Sequence, residues 1–136
     1  MNKVTVIGSI NLDRTIRVKE MAKPGETIHA SEVFSAGGGK GANQAVAAKR
    51  SGAKTAFIGA VGNDDAGKTM RELLGYEEIQ LDGIAELDKV ATGQAYIVVD
   101  EKGENSIMIH AGANGKITPE PVSYTHLRAH ETGRNL

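Results

Sequence analysis

The sequence predicts an α/β fold: a central, mostly parallel sheet with flanking helices, and a second, thinner sheet beside it. Three observations carry that prediction. The short apolar runs "KVTVIGS" (Lys3 to Ser9) and "KTAFIGAV" (Lys54 to Val61) have the composition of strands buried in a parallel sheet. The helical patterns "GANQAVAAKRSG" and "DDAGKTMRELL" alternate with them, which is the order of parallel βα units. Other segments alternate apolar and polar residues, as strands with one face in water do.

Taken in order, the first strand stops at "GSINLDRT", which reads as a polar turn carrying Asn11 and Asp13. "TIRVKE" and "ETIHASEVF" are the alternating strands, joined by "AKPGET", where proline fixes φ and glycine supplies a positive φ. In the helix that follows, Ala42, Ala45, Val46 and Lys49 recur at three- and four-residue spacing and share a face, and Gly52 is placed to end it. The stretch from Gly75 to Val90 reads as irregular. "TGQAYIVVDEKGENSIMIHAGAN" reads as a hairpin around "DEKGEN". After Pro121 the character changes: "VSYTHLRAHETGRNL" continues neither pattern, and the βα series stops with about three parallel strands. The expectation is a truncated chain, 1–122, with an unrelated tail over 123–136.

A length of 136 residues suits one domain with a real core. A net charge of −1 gives no basic excess for nucleic acid or an anionic membrane. No apolar run approaches the ~20 residues of a membrane span, and "MNKVTVIGSINLD" lacks the build of a secretory signal. The absence of cysteine fits a reducing compartment, and the expected location is the cytoplasm.

Glycine-rich "SAGGGKGANQAVAAKR" raises the functional question, because glycine before a good helix needs a turn or a ligand to justify its entropy. Gly37 to Ala42 satisfies the dinucleotide fingerprint G-x-G-x-x-[GA]. It follows an amphipathic strand, however, and the next strand reaches no carboxylate before Asp64. "GNDDAGKT", Gly62 to Thr69, matches the P-loop and lies between a strand and a helix, with Lys68 and Thr69 in the motif positions. Asp64 and Asp65 would oppose a phosphate there and suit a helix cap instead. His126 and His130 stand at i, i+4 but lack the rest of a zinc motif. The helix entrance remains. Its N–H groups, Lys40 and Asn43 offer donors, and Asn11 and Asp13 can sit beside it at the carboxyl end of a strand. One carboxylate with amide and ammonium donors can hold a sugar. The same Asn11 and Asp13 can equally be turn formers, and the residues alone leave both roles open.

"VIGSINLD", "PGET", "GGKGANQAVAA", "SGAKTAFIGAVGNDDAG", "TGQAYIVVDEKGEN" and "HAGAN" together resemble the amino-terminal half of the ribokinase-like (phosphofructokinase-B) carbohydrate kinases. The resemblance runs from about Val4 to about Pro121, and "GGKGANQAVAA" is its most specific block. Within the family, "GSIN-x-D" points to the ribose-phosphorylating branch over adenosine or fructose kinases.

The resemblance implies a truncated ribokinase-like fold, with a small β-sheet lid formed from about 14–35 and 92–110. It implies sugar contacts at Asn11, Asp13, Gly39, Lys40, Gly41, Ala42 and Asn43: Asp13 accepts from neighbouring hydroxyls, and Lys40 and Asn43 donate. Ile107 or Ile109 would cover the apolar face of the ring. The intact enzyme would transfer the γ-phosphate of MgATP to the 5-hydroxyl of D-ribose, giving ribose 5-phosphate. It would be activated by a monovalent cation, K+, and would form a homodimer through the lid sheet.

The family's catalytic aspartate belongs to a G-A-G-D-type segment far downstream, and this chain holds none. The nucleotide pocket, the cation site and the sugar-binding glutamate expected after "GANGKITPEPV" are missing too. The resemblance therefore implies a catalytically inactive piece with no catalytic, cofactor-binding or metal-binding residue of its own. Two other readings stand beside it: a P-loop NTPase using Gly62 to Thr69, and a non-catalytic, dimerising sugar-binding module.

Overall fold

The structure, a computed structural model, describes residues 2–117. The tail 123–136, with His126 and His130, lies outside the described residues.

The first strand, β1 (Lys3–Ile7), pairs in parallel with β4 (Lys54–Gly62), which pairs in parallel with β5 (Gln80–Leu87), giving the order β1-β4-β5. Helix α1 (Lys40–Arg50) leads into β4, and α2 (Asp65–Tyr76) connects β4 to β5. The expected parallel βα units are therefore present. Two expectations need correction. Gly75 to Val90 is not irregular, because it contains β5. Its "QLDGIAEL" has only Ile84 buried, so the sequence shows no continuous apolar run, and the strand is fixed by its pairing along β4. Nor is β1 buried on both faces: it lies at the sheet edge, with Val6 inside and Ile7 49% exposed. Only the central β4 is buried on both sides, and it supplies Phe57, Ile58 and Val61 to the core.

Ala42 and Ala45 of α1 are buried, Val46 packs partly against them, and Lys49 lies at the edge of that face, 3.7 Å from Glu78. The helix ends as its glycine suggests. Gly52 has φ +102°, its N–H donates to the Lys49 carbonyl at 3.0 Å, and the Ala53 N–H reaches the Ala48 carbonyl at 3.1 Å. This pair of bonds satisfies the last carbonyls of the helix. Met70 and Leu74 of α2 complete the core beside Ile10, Leu12 and Ile79.

The second sheet has the order β3-β2-β6-β7, from β2 (Asn11–Val18), β3 (Ala30–Gly38), β6 (Gly93–Val99) and β7 (Asn105–His110). β2 pairs antiparallel with β3 and parallel with β6, and β6 and β7 form the expected hairpin. The alternating segments thus build one sheet, with bounds displaced from the pattern. β2 begins at Asn11, so Asn11 and Asp13 are strand residues and not turn residues. β3 runs into the glycine cluster as far as Gly38, where Asn11 of β2 faces it. The turn between the two sheets is only Gly8 to Ile10, which is why the polar residues after it already belong to the second sheet.

Candidate functional site

Asn11 and Asp13 lie two residues apart in β2 and so present their side chains on one face of the second sheet. The pairing extends that face sideways. Asp13 is opposite Ala36 and Ala95, and Ala95 is opposite Ile109; Thr15 is opposite Phe34 and Ile97, and Ile97 is opposite Ile107. The carboxylate of Asp13 therefore shares a face with the exposed isoleucines of the hairpin, which are 53% (Ile107) and 70% (Ile109) accessible.

The carboxylate of Asp13 lies against Gly38 so closely that a Cβ there would overlap it. Burial pushes the Asp13 carboxyl above its ordinary value. Asn11 is half-buried, and its Oδ1 accepts a hydrogen bond from the Nδ2 of Asn114 at 2.8 Å. Asn114 lies in a short 3-10 helix (Gly112–Lys116) and also bonds both backbone groups of Ile10, accepting from its N–H at 2.9 Å and donating to its carbonyl at 3.1 Å.

Helix α1 enters at this junction. Its N-cap, Gly39, has φ +96°, and a Cβ there would stand 2.7 Å from the Ser9 carbonyl oxygen. A Cβ on Gly41 would stand 2.7 Å from the Ser9 nitrogen and 2.8 Å from Gly8 Cα. The Ala42 N–H donates to the Ser9 carbonyl at 3.0 Å, and that of Asn43 to the Gly39 carbonyl at 2.9 Å. Gly39, Gly41 and Ala42 thus hold the helix entrance against the β1–β2 turn. The glycines are required there by protein backbone, before any ligand is considered. Lys40 and Asn43 are exposed on the first turn of α1. The described ion pairs join Arg17 to Glu32, Lys49 to Glu78 and Arg50 to Glu77, and none links Lys40 to Asp13.

The P-loop match has a different interior. Asp64 caps α2, its Oδ1 accepting from the Gly67 N–H at 2.8 Å and from the Thr92 hydroxyl at 2.6 Å. Its Oδ2 accepts from the Thr92 N–H at 2.9 Å. A Cβ on Gly67 would overlap the Gly62 carbonyl oxygen. The Asp64 carboxylate thus already takes the Gly67 N–H, one of the donors that would meet a phosphate.

Two depressions lie away from the Asp13 corner. One, of about 460 Å³, is lined by Lys68, Arg71, Glu72 and Glu86 among others; the second, of about 410 Å³, is an apolar hollow in the second sheet around Ile16, Val18, Ile28 and Val98. Asp13 lines neither of them and is half-buried. Among the described residues no group of three His, Cys, Asp or Glu side chains could hold a metal ion, and no helix is long and apolar enough to cross a membrane.

Sequence reasoning missed Gly38, Gly93 and Asn114 as parts of this corner. Asn114 sits in the "HAGAN" block, but its distance of 103 residues from Asn11 hides the contact.

The family model described as pfkB family carbohydrate kinase matches residues 1–132. A ribokinase of Haemophilus influenzae is 47% identical over 115 residues, covering 85% of this chain and 38% of the relative. The solved ribokinase of Giardia lamblia superposes with a TM-score of 0.86 at 35% identity, covering 96% of this chain and 43% of that one. A ribokinase of Arabidopsis thaliana, solved with ribose and ATP, gives a TM-score of 0.78 at 36% identity, over 83% of this chain and 37% of that one. The chain spans less than half the length of these relatives.

Proposed function

Because the chain belongs to the pfkB family of carbohydrate kinases, we propose that it is the sugar-holding part of an ATP-dependent kinase for D-ribose. The whole enzyme would move the γ-phosphate of ATP to the 5-hydroxyl and release ribose 5-phosphate. The observation that carries this reading is the placement of Asn11 and Asp13 on one strand face at the mouth of α1. A carboxylate there accepts from hydroxyl groups, and the half-buried site strengthens each such bond relative to water. Lys40 and Asn43 supply donors from the helix side, and Gly39, Gly41 and Ala42 fix that helix at the required distance. Ile109, in the same cross-strand row as Asp13, covers the apolar face of the ring.

The nucleotide and its Mg2+ would supply the phosphoryl group and neutralise its charge. The residues described do not fit a site for them: the nearest sequence match, Gly62 to Thr69, is occupied by the Asp64 carboxylate. The catalytic aspartate, the nucleotide site and the K+ site would belong to the rest of the whole enzyme, since this chain spans less than half the length of its relatives. The chain alone therefore binds the sugar and does not phosphorylate it. We place it in the cytoplasm, where a cysteine-free chain and ATP are compatible. The apolar face of the second sheet serves a homodimer through the lid.

Calorimetric titration of D-ribose into the chain and its Asp13→Ala variant, with a coupled phosphorylation assay, tests the reading. The expected result is heat that disappears in Asp13→Ala and no turnover. Binding indifferent to Asp13→Ala overturns the site. Ribose-dependent ATP consumption by carrier-free chain overturns the inactivity.

A further inference from the structure

We propose that Asn114 is a positioning residue that fixes which way the Asn11 side-chain amide faces, so that Asn11 meets a ligand as a hydrogen-bond donor. The backbone N–H of Ile10 is a group whose role cannot be exchanged. A backbone N–H only donates, so the oxygen of Asn114 must be the atom 2.9 Å from the Ile10 nitrogen. The Asn114 Nδ2 is thereby committed to the opposite side. There it donates to the Ile10 carbonyl at 3.1 Å and to an atom of Asn11 at 2.8 Å. Two NH2 groups cannot satisfy one another as donor and donor, so that atom of Asn11 is its Oδ1. The Nδ2 of Asn11 then points away from Asn114.

Burial makes this orientation firm. Gly93 stands directly opposite Asn11 in the β2–β6 pairing and is buried. A Cβ on Gly93 would strike both the Asn114 Nδ2 and the Asn11 Oδ1, so the backbone of β6 lies over this hydrogen bond. Turning the Asn11 amide over would place two donors face to face beneath that strand, and the Asn114 N–H that now meets Asn11 would lose its acceptor.

The consequence concerns the ligand class and rests on the sugar-binding reading above. Asn11 and Asp13 share one strand face, the first offering a donor and the second, when ionised, only acceptors. Such a pair is matched to neighbouring hydroxyls: one oxygen accepts from Asn11 Nδ2, and one O–H donates to Asp13. A ligand that presents only acceptors to this face would be opposed by Asp13. One that presents only donors would be opposed by Asn11.

Assigned side-chain amide spectra of the ligand-free chain test the orientation without any sugar. The Nδ2 protons of Asn114 should exchange with water at least about tenfold more slowly than those of Asn11, because only the former are bonded under β6. The Asn114→Asp variant keeps the acceptor for Ile10 and removes the donor, and should move the Asn11 side-chain signals. Equal exchange rates overturn the proposal, as do unmoved Asn11 signals in a folded Asn114→Asp chain. If that variant does not fold, the exchange rates of the unaltered chain decide.

D-ribose titration then reads the consequence. Asn11→Ala and Asn114→Asp should each weaken binding about tenfold, and the double variant also about tenfold, because both remove one donor. Losses that multiply to about a hundredfold would make Asn114 merely structural and overturn the proposal. If the spectra behave as expected and D-ribose does not bind, the sugar reading fails while the orientation stands.

Discussion

The carboxylate of Asp64 takes both the backbone N–H and the hydroxyl of Thr92, at 2.9 and 2.6 Å, and so ties the start of α2 to the residue that precedes β6. Thr92 is fully buried, and its hydroxyl oxygen also accepts from the Gly62 N–H at 2.8 Å. One side chain thereby fixes the exit of the central strand, the entrance of a helix and the root of the hairpin. Burial alone would push the Asp64 carboxyl up, but the hydrogen bonds from Thr92 and Gly67 outweigh it and hold it below 3.8. A carboxyl depressed on folding contributes stability above its unfolded value, and that stability is lost as the pH falls through the folded value. Replacing Asp64 by Asn turns an NH2 toward a donor and should cost about 1–3 kcal/mol. Urea unfolding at neutral pH checks the loss. The variant should also lose stability less steeply than the parent when the pH drops below 3.8; equal slopes would remove Asp64 from the explanation.

Asp13 behaves in the opposite sense. Burial raises its carboxyl in the folded chain, so its ionised form weakens the fold as pH rises through the folded value. The stabilising protonated form is fully present only below the ordinary value of 3.8. Asp13→Asn should therefore leave the melting temperature at pH 7 unchanged or higher, while weakening D-ribose binding about 10- to 100-fold. A lower melting temperature would show that the carboxylate is structurally satisfied without a ligand.

What could be read from the chain followed from local chemistry. The apolar run ending in "FIGAV" and the alanine face of α1 carry their own periodicity, so β4 and α1 were legible. β5 was not, since "QLDGIAEL" buries one residue and is set by its neighbour in space. Asn11 and Asp13 have turn-forming side chains, and only the pairing with Gly38 and Gly93 shows them to be strand residues. The glycine run was legible as a close approach, but what it approaches was not. Gly39 and Gly41 meet the backbone of Gly8 to Asn11, and Gly38 makes room for a side chain.

These three glycines separate folding from binding. A methyl group on Gly41 meets the backbone of Gly8 and Ser9, which cannot move aside without shifting β1 from α1. Gly41→Ala should cost about 1–3 kcal/mol, seen as a lower midpoint in urea. A methyl group on Gly38 meets first the Asp13 carboxylate, the far end of a side chain that can rotate away. Gly38→Ala should therefore lose D-ribose affinity with a smaller loss of stability. Equal destabilisation by the two would mean that the Asp13 pocket is as rigid as the backbone contact.

The exposed face of the second sheet leads to a prediction about assembly. Phe34, Ile107 and Ile109 are 39, 53 and 70% accessible and share one face through the pairings of β3, β2, β6 and β7. Arg17 stacks over the Phe34 ring at 5.6 Å and pairs with Glu32, which borders the apolar patch with polar groups at its far end. A contiguous apolar face with a polar border suits a partner surface. Ile109 lies in the Asp13 row, at the end proposed for the sugar, and Ile107 lies one row farther out. Burying an isoleucine is worth about 1.5–3 kcal/mol, so Ile107→Asp should weaken self-association by at least about tenfold in sedimentation equilibrium. Ile109→Asp should weaken self-association and D-ribose binding together. Unchanged association in both variants would assign this face to covering the sugar alone.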